Sequence, residues 1–378
     1  MKKMFTIILG GLALIIALMY AFGYDYIFTA IKLTYLKGET GATIKDGPYF
    51  AKSQISHGII QPWEKDSLYN KTPLPEKVLK HLNQSKTASF LVFKDGKILS
   101  EQYWDGNPTT LTNSFSMAKS VTVMLTGIAI QDGKIKSLQQ KLSDFYPNFA
   151  KDPLGKNCTL EDLSSMESGL KWSEDYQNPF GPNAKAYYGK NLPEWMLNQP
   201  FDTEPGTKFE YLSGATQLLG FVLRKAVDLP LGVYLSEKIW QPLGMENGAY
   251  WGMDQDNGME KTYCCINATS RDFAKLGQLL LNHGNWNGRQ IISHDFVQKM
   301  ITGTTLSQQS YGNGIWVNND SDIPHYYLRG LYGQYVICIP QYNMIIVRTG
   351  SSRDETMDNK KRPVEVDFFV HEMVKLYQ

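Results

Sequence analysis

The chain has 378 residues, 42% of them hydrophobic and 20% charged, an ordinary globular composition with length for one large domain or two small ones. Its 38 basic and 37 acidic residues leave a net charge of +1, scattered rather than clustered, which excludes an electrostatic case for a nucleic-acid partner. The six histidines and four cysteines form no metal-ligand spacing, so neither a metal nor a cofactor is expected.

In chain order, Met1-Lys2-Lys3 precedes an uncharged apolar run, Met4 to Gly23, of bilayer-spanning length. The lysines in front predict a cytoplasmic N-terminus and an exported remainder. A cleaved signal peptide is the rival reading. No A-x-A-like site is evident between Leu18 and Asp25, and apolar character continues through Tyr26–Ile31, so an uncleaved anchor over residues 1–23 is expected. Residues 24–74 read as a juxtamembrane connector and extended lead-in, and residues 75–378 as the folded domain. Phe90–Lys94 and Lys97–Trp104 flank Asp95-Gly96, a favoured hairpin turn. Helices are expected from Ser116 to about Gln131, at Ser213–Lys225, at Leu231–Ile239 and at Thr269–His283. The 150–205 region, rich in Gly, Pro, Asn and Trp, reads as long ordered loops. Strands return at 314–318, 333–340 and 343–350, the last two almost wholly apolar and hence central, before a closing helix from Val364 to Leu376. Strands at both ends with helices between them predict an antiparallel sheet made from both ends and an inserted helical subdomain. Cys158, Cys264, Cys265 and Cys338 are expected as buried free thiols, since sequence neighbours such as Cys264 and Cys265 rarely pair.

Ser116-Met117-Ala118-Lys119 places a serine and a lysine on one face of a helix start. Free N–H groups and the positive helix end there favour an oxyanion beside the serine. A buried lysine with a lowered pKa can accept the serine proton. Pro205–Gly214 sets Tyr211 and Ser213 in a turn before a helix. A tyrosinate whose phenol pKa is lowered by the lysine ammonium is a feasible general base; the alternative is an ordinary packed tyrosine, one of 22.

Together these segments resemble the serine beta-lactamase and penicillin-binding protein superfamily, in its class C beta-lactamase-related branch. Thr159–Trp172 is similar to that family's T-x-x-x-L-L-x-M-x-S-G-L-x-W segment, and Ala268–Gly277 to its A-T-x-x-D-L-A-R-F-G helix. The resemblance runs from roughly 75 to 375. It implies an α+β beta-lactamase/transpeptidase-like fold with helices on both faces of the sheet. It also implies roles: Ser116 as nucleophile, Lys119 as the group that deprotonates it, and Tyr211 as base or proton shuttle. Ser213 stands where the family often has Asn, and could bond Lys119 or the substrate. The oxyanion hole would use the Ser116 N–H and one from the third-motif strand. That strand departs from the family: it reads His325–Gly333 with no Lys-Thr-Gly, so Arg329, Gly330 and Leu331 become the substrate-contact candidates, with His325 as a displaced equivalent. The departure favours the esterase and oligomer-hydrolase branches over an efficient beta-lactamase. The expected protein is an exported, membrane-anchored serine hydrolase cleaving an ester or amide of a small-molecule or peptide substrate. A sensor that acylates without turnover and an acyl transferase are the alternatives.

Overall fold

A computed structural model describes residues 1–378. Thr87–Lys94 and Lys97–Tyr103 form the expected antiparallel hairpin. Asp95 and Gly96 both take left-handed backbone, φ 51° and 76°, which a two-residue turn matched to strand twist requires. Met344–Gly350 pairs antiparallel with Thr87–Lys94. Beyond it run Gln334–Ile339, His325–Gly330 and Trp316–Asn318, each antiparallel to the one before. Glu64–Lys65 adds a parallel edge at the other side and completes seven strands. The C-terminal strands therefore lie directly beside the N-terminal pair.

Alternation along Gln334–Ile339 explains why this sheet is covered twice. Val336 and Cys338 point to helix Ser270–Leu281, so closely that a Cβ on Gly277 would stand 2.8 Å from Val336. Tyr335 points the other way and donates to Glu365 of helix Val364–Tyr377 at 2.8 Å. All six residues of the strand are buried.

A smaller sheet joins Ala51–Ile55, Ala249–Met253, Ile266–Ala268 and Thr112–Asn113 in that order. Part of the lead-in is thus woven into the fold, since Ala51–Ile55 pairs along its length with Ala249–Met253. Between the sheets, helices Met117–Gln131 and Ser213–Val227 pack on each other. The first is buried continuously from Met117 to Ala129, as its unbroken apolar run requires. The 150–205 region holds only short helices. Helix Lys2–Ala21 has a mean hydropathy of 2.4 and no buried residue.

The expected helix from Leu231 to Ile239 forms, its α-helical part ending at Leu235 and widening to a π turn over Ser236–Trp240, where the Ser236 hydroxyl donates back to the Gly232 carbonyl at 2.6 Å. One expectation fails: Cys264 and Cys265 are disulfide-bonded, leaving only Cys158 and Cys338 as buried free thiols. Cys265 adopts φ 76°, a left-handed turn that lets adjacent side chains meet.

Candidate active site

The turn that carries Ser116 is built from the small sheet. The Asn113 N–H donates to the Ile44 carbonyl at 2.9 Å and the Ser114 N–H to the Ile266 carbonyl at 2.7 Å. Phe115 then enters the left-handed region at φ 44°. For a non-glycine residue that costs on the order of 1 kcal/mol or more, and it persists only where neighbours fix it. Here the Asn113 side chain accepts from the Phe115 N–H at 2.9 Å, and the Phe115 ring packs edge-on against Tyr332 at 5.6 Å. The reversal delivers Ser116 as the cap residue of Met117–Gln131, partly exposed among buried neighbours. Its own N–H makes no hydrogen bond within the chain.

Lys119 is buried beneath it. Its ammonium donates to Ser116 Oγ at 2.8 Å, to Ser213 Oγ at 3.0 Å and to the Tyr263 carbonyl at 3.0 Å. Burial pulls the lysine down to about 8, and the nearby Glu174 carboxylate partly offsets that. Glu174 accepts from the Ser213 N–H at 2.8 Å and from the Ser213 hydroxyl at 2.5 Å, and also from the Tyr176 hydroxyl. Ser213 spends its one hydroxyl proton on Glu174, so a lone pair is left facing Lys119. Sequence reading missed Glu174. Its only signal was its place two residues beyond Trp172, where the quoted family segment ends.

Tyr211 is half-buried, with its ring 5.0 Å from Lys119 Nζ. It packs against Trp316 at 5.3 Å and Tyr311 at 5.9 Å. Desolvation pushes its phenol well above the usual tyrosine range, while the Ser116 hydroxyl pulls the other way. A tyrosinate sustained by the lysine is therefore not what this environment favours. The two shifts run opposite to that expectation: burial keeps the phenol protonated and makes the amine easier to deprotonate.

Of the third-motif candidates, Gly330 comes nearest the turn that carries Ser116. A Cβ at Gly330 would stand 2.2 Å from the Ser114 carbonyl oxygen, so only glycine lets the strand end pass there. Leu331 follows in a tight turn, half-buried. The Arg329 guanidinium lies over Trp316 at 4.8 Å and donates to the Lys361 carbonyl at 2.9 Å, behind the aromatic wall that carries Tyr211. His325 is no equivalent of a third-motif cation. It is buried at the opposite end of the strand, paired in register with Asn318, and burial lowers its pKa. A cleft of about 480 Å³ lined by Tyr146, Glu194, Arg224 and Asp254 contains none of these groups.

A serine and a lysine sharing the first turn of a buried helix, beside a mostly antiparallel sheet built from early and late strands of the domain, belong with the serine hydrolases of beta-lactamase-like fold. The chain belongs to the beta-lactamase family, whose model matches residues 76–368. It is 24% identical over 314 residues to the 6-aminohexanoate-dimer hydrolase of Paenarthrobacter ureafaciens, covering 75% of this chain and 77% of that one. Among solved structures, a Bacillus anthracis protein provisionally named a 6-aminohexanoate-dimer hydrolase superposes with a TM-score of 0.74 at 23% identity, covering 89% of this chain and 94% of that one. A penicillin-binding protein from Bacillus halodurans gives a TM-score of 0.61 at 16% identity, covering 79% of this chain and 99% of that one.

Proposed function

We propose that this chain is a membrane-anchored hydrolase whose catalytic domain lies on the exported side and which cleaves an acyl ester or amide through an acyl-enzyme on Ser116. The observation that carries this is the Ser116–Lys119 contact at 2.8 Å with the lysine pulled down to about 8, which leaves a minor neutral fraction of the amine beside the hydroxyl near pH 7 and a mostly neutral amine above pH 8. Helix Lys2–Ala21 supports the anchor by length and composition.

In this reading neutral Lys119 takes the Ser116 proton as Oγ bonds to the substrate acyl carbon. The carbonyl oxygen becomes an oxyanion facing the free Ser116 N–H, with a second donor from the Gly330–Leu331 turn. Tyr211 stays a neutral phenol and relays the proton from Lys119 to the departing alkoxide or amine as the old acyl bond breaks. A water then passes a proton through Tyr211 to Lys119 as its oxygen attacks the acyl carbon, and Lys119 returns that proton to Ser116 Oγ as the acyl–Oγ bond breaks and the acid leaves. Ser213, held by Glu174, orients Lys119. The names of the relatives include a 6-aminohexanoate-dimer hydrolase and a penicillin-binding protein, which is consistent with acyl chemistry of this kind. Steady release of p-nitrophenol from p-nitrophenyl acetate, lost in Ser116→Ala, is the expected result. A single burst without turnover would instead favour the acylating sensor.

A further inference from the structure

The segment joining the apolar helix to the catalytic domain carries apolar side chains on two faces. In helix Tyr26–Leu33, Tyr26 and Leu33 are buried against the domain. The Tyr26 hydroxyl donates to the Pro179 carbonyl at 3.1 Å, and the Tyr24 ring meets the Phe180 ring edge-on at 5.7 Å. On the other face Phe28 stacks on Tyr20 of the apolar helix at 5.7 Å, while Ile31 and Tyr35 stay exposed. Tyr24, Phe28, Ile31 and Tyr35 recur at helical spacing. Tyr35 is 68% exposed, and its neighbours in this region Leu36, Phe22 and Phe180 are 76%, 72% and 63% exposed. An exposed cluster of this kind marks an interaction site, and aromatics gathered where a bilayer-length helix ends are suited to headgroup depth. The occupant is set by continuity: the patch begins one residue after Ala21, where the apolar helix stops.

This patch is tied to the loop that follows Glu174 through the Tyr26–Pro179 hydrogen bond. Pro179 lies five residues after Glu174, a stretch that spans at most about 18 Å when extended, and Glu174 holds Ser213 directly. On the opposite side, a Cβ on connector residue Gly41 would stand 3.4 Å from the Tyr332 hydroxyl, and the Tyr332 ring packs on Phe115, next to the nucleophile. The connector therefore contacts both the loop that follows Glu174 and the Tyr332 side chain packed on Phe115.

We infer that the Tyr24–Leu36 face and Phe180 seat the mouth of the active site on the bilayer surface, and that the site takes acyl compounds held in that bilayer, with the scissile bond at headgroup level. This rests on the anchored-hydrolase reading above and adds to it the orientation of the site and the amphiphilic class of its substrate.

The full chain in phosphatidylcholine–phosphatidylglycerol vesicles doped with a diazirine-bearing phosphatidylcholine, irradiated and mapped by peptide mass, tests the surface without relying on activity. Adducts on 4–23 together with Tyr24–Leu36 and Phe180 are expected. Adducts confined to 4–23 would overturn the seating while leaving the anchor intact, and their absence from 4–23 would remove the anchor itself. A Tyr35→Asp/Phe180→Asp variant then tests substrate class. It should lose about tenfold or more in turnover of vesicle-borne p-nitrophenyl palmitate while soluble p-nitrophenyl acetate is hydrolysed as before. An equal loss on both esters, or on neither, would contradict the assignment. Failure of the unmodified chain on both esters would sink the hydrolase reading instead, with the photolabelling still deciding the surface.

Discussion

Glu174 grips Ser213 twice, through its backbone N–H and its hydroxyl, and Ser213 in turn accepts from Lys119 at 3.0 Å. A carboxylate on a loop thereby fixes the orientation of the lysine and adds negative charge that favours its protonated form. The Glu174→Gln variant should shift the acid limb of kcat/KM to lower pH by about half a unit or more, because losing the anion makes Lys119 easier to deprotonate. A lower rate with an unmoved limb would reduce Glu174 to a packing role.

The pH dependence of the native chain has a definite sign. A lysine pulled down to about 8 is protonated below that pH and neutral above it. If neutral Lys119 is the base, kcat/KM climbs through pH 7 to 9 and levels off above. A profile flat from pH 6 to 9 would contradict it. Lys119→Arg, which cannot deprotonate, should lower the rate by about 100-fold or more.

Tyr211 should act as a neutral relay. Tyr211→Phe is expected to slow turnover by about 100-fold without displacing the acid limb set by Lys119. A second rise in activity near pH 10 in the native chain, absent from the Phe variant, would restore the tyrosinate.

Gly330→Ala tests the contact between the third-motif strand and the turn that carries Ser116. The added methyl meets the Ser114 carbonyl, so the turn or the strand must move. A stability loss of about 1–3 kcal/mol by thermal unfolding is expected, with a larger fall in activity. Unchanged activity would separate the strand from the oxyanion pocket.

The disulfide is checked by counting thiols. Alkylation of the denatured, unreduced chain should modify two cysteines, Cys158 and Cys338, and after reduction all four. Four modified without reduction would return Cys264 and Cys265 to the free state.

The sheet was legible because its signals are local. Asp95-Gly96 between apolar runs and the two almost wholly apolar C-terminal strands each state their own structure, and pairing followed from burial. The proximity of Ser116 and Lys119 was legible for the same reason, being one helical turn. What lay hidden depends on loops brought together from afar: Glu174 comes from a segment with no periodicity, and the Tyr263 carbonyl is a backbone group that no side-chain pattern marks. The direction of the Tyr211 shift was misjudged because sequence shows a nearby cation but not how much water a packed aromatic wall excludes. The Cys264–Cys265 bond was missed because it depends on one left-handed residue.

The most direct test is covalent labelling of the full chain with a fluorophosphonate, weighed intact and mapped by peptide mass. A single adduct on Ser116, absent in Lys119→Ala and formed faster as the pH rises through about 8, is the result predicted here. An adduct on another serine, or one on Ser116 that forms equally fast without Lys119, would contradict a lysine-activated nucleophile.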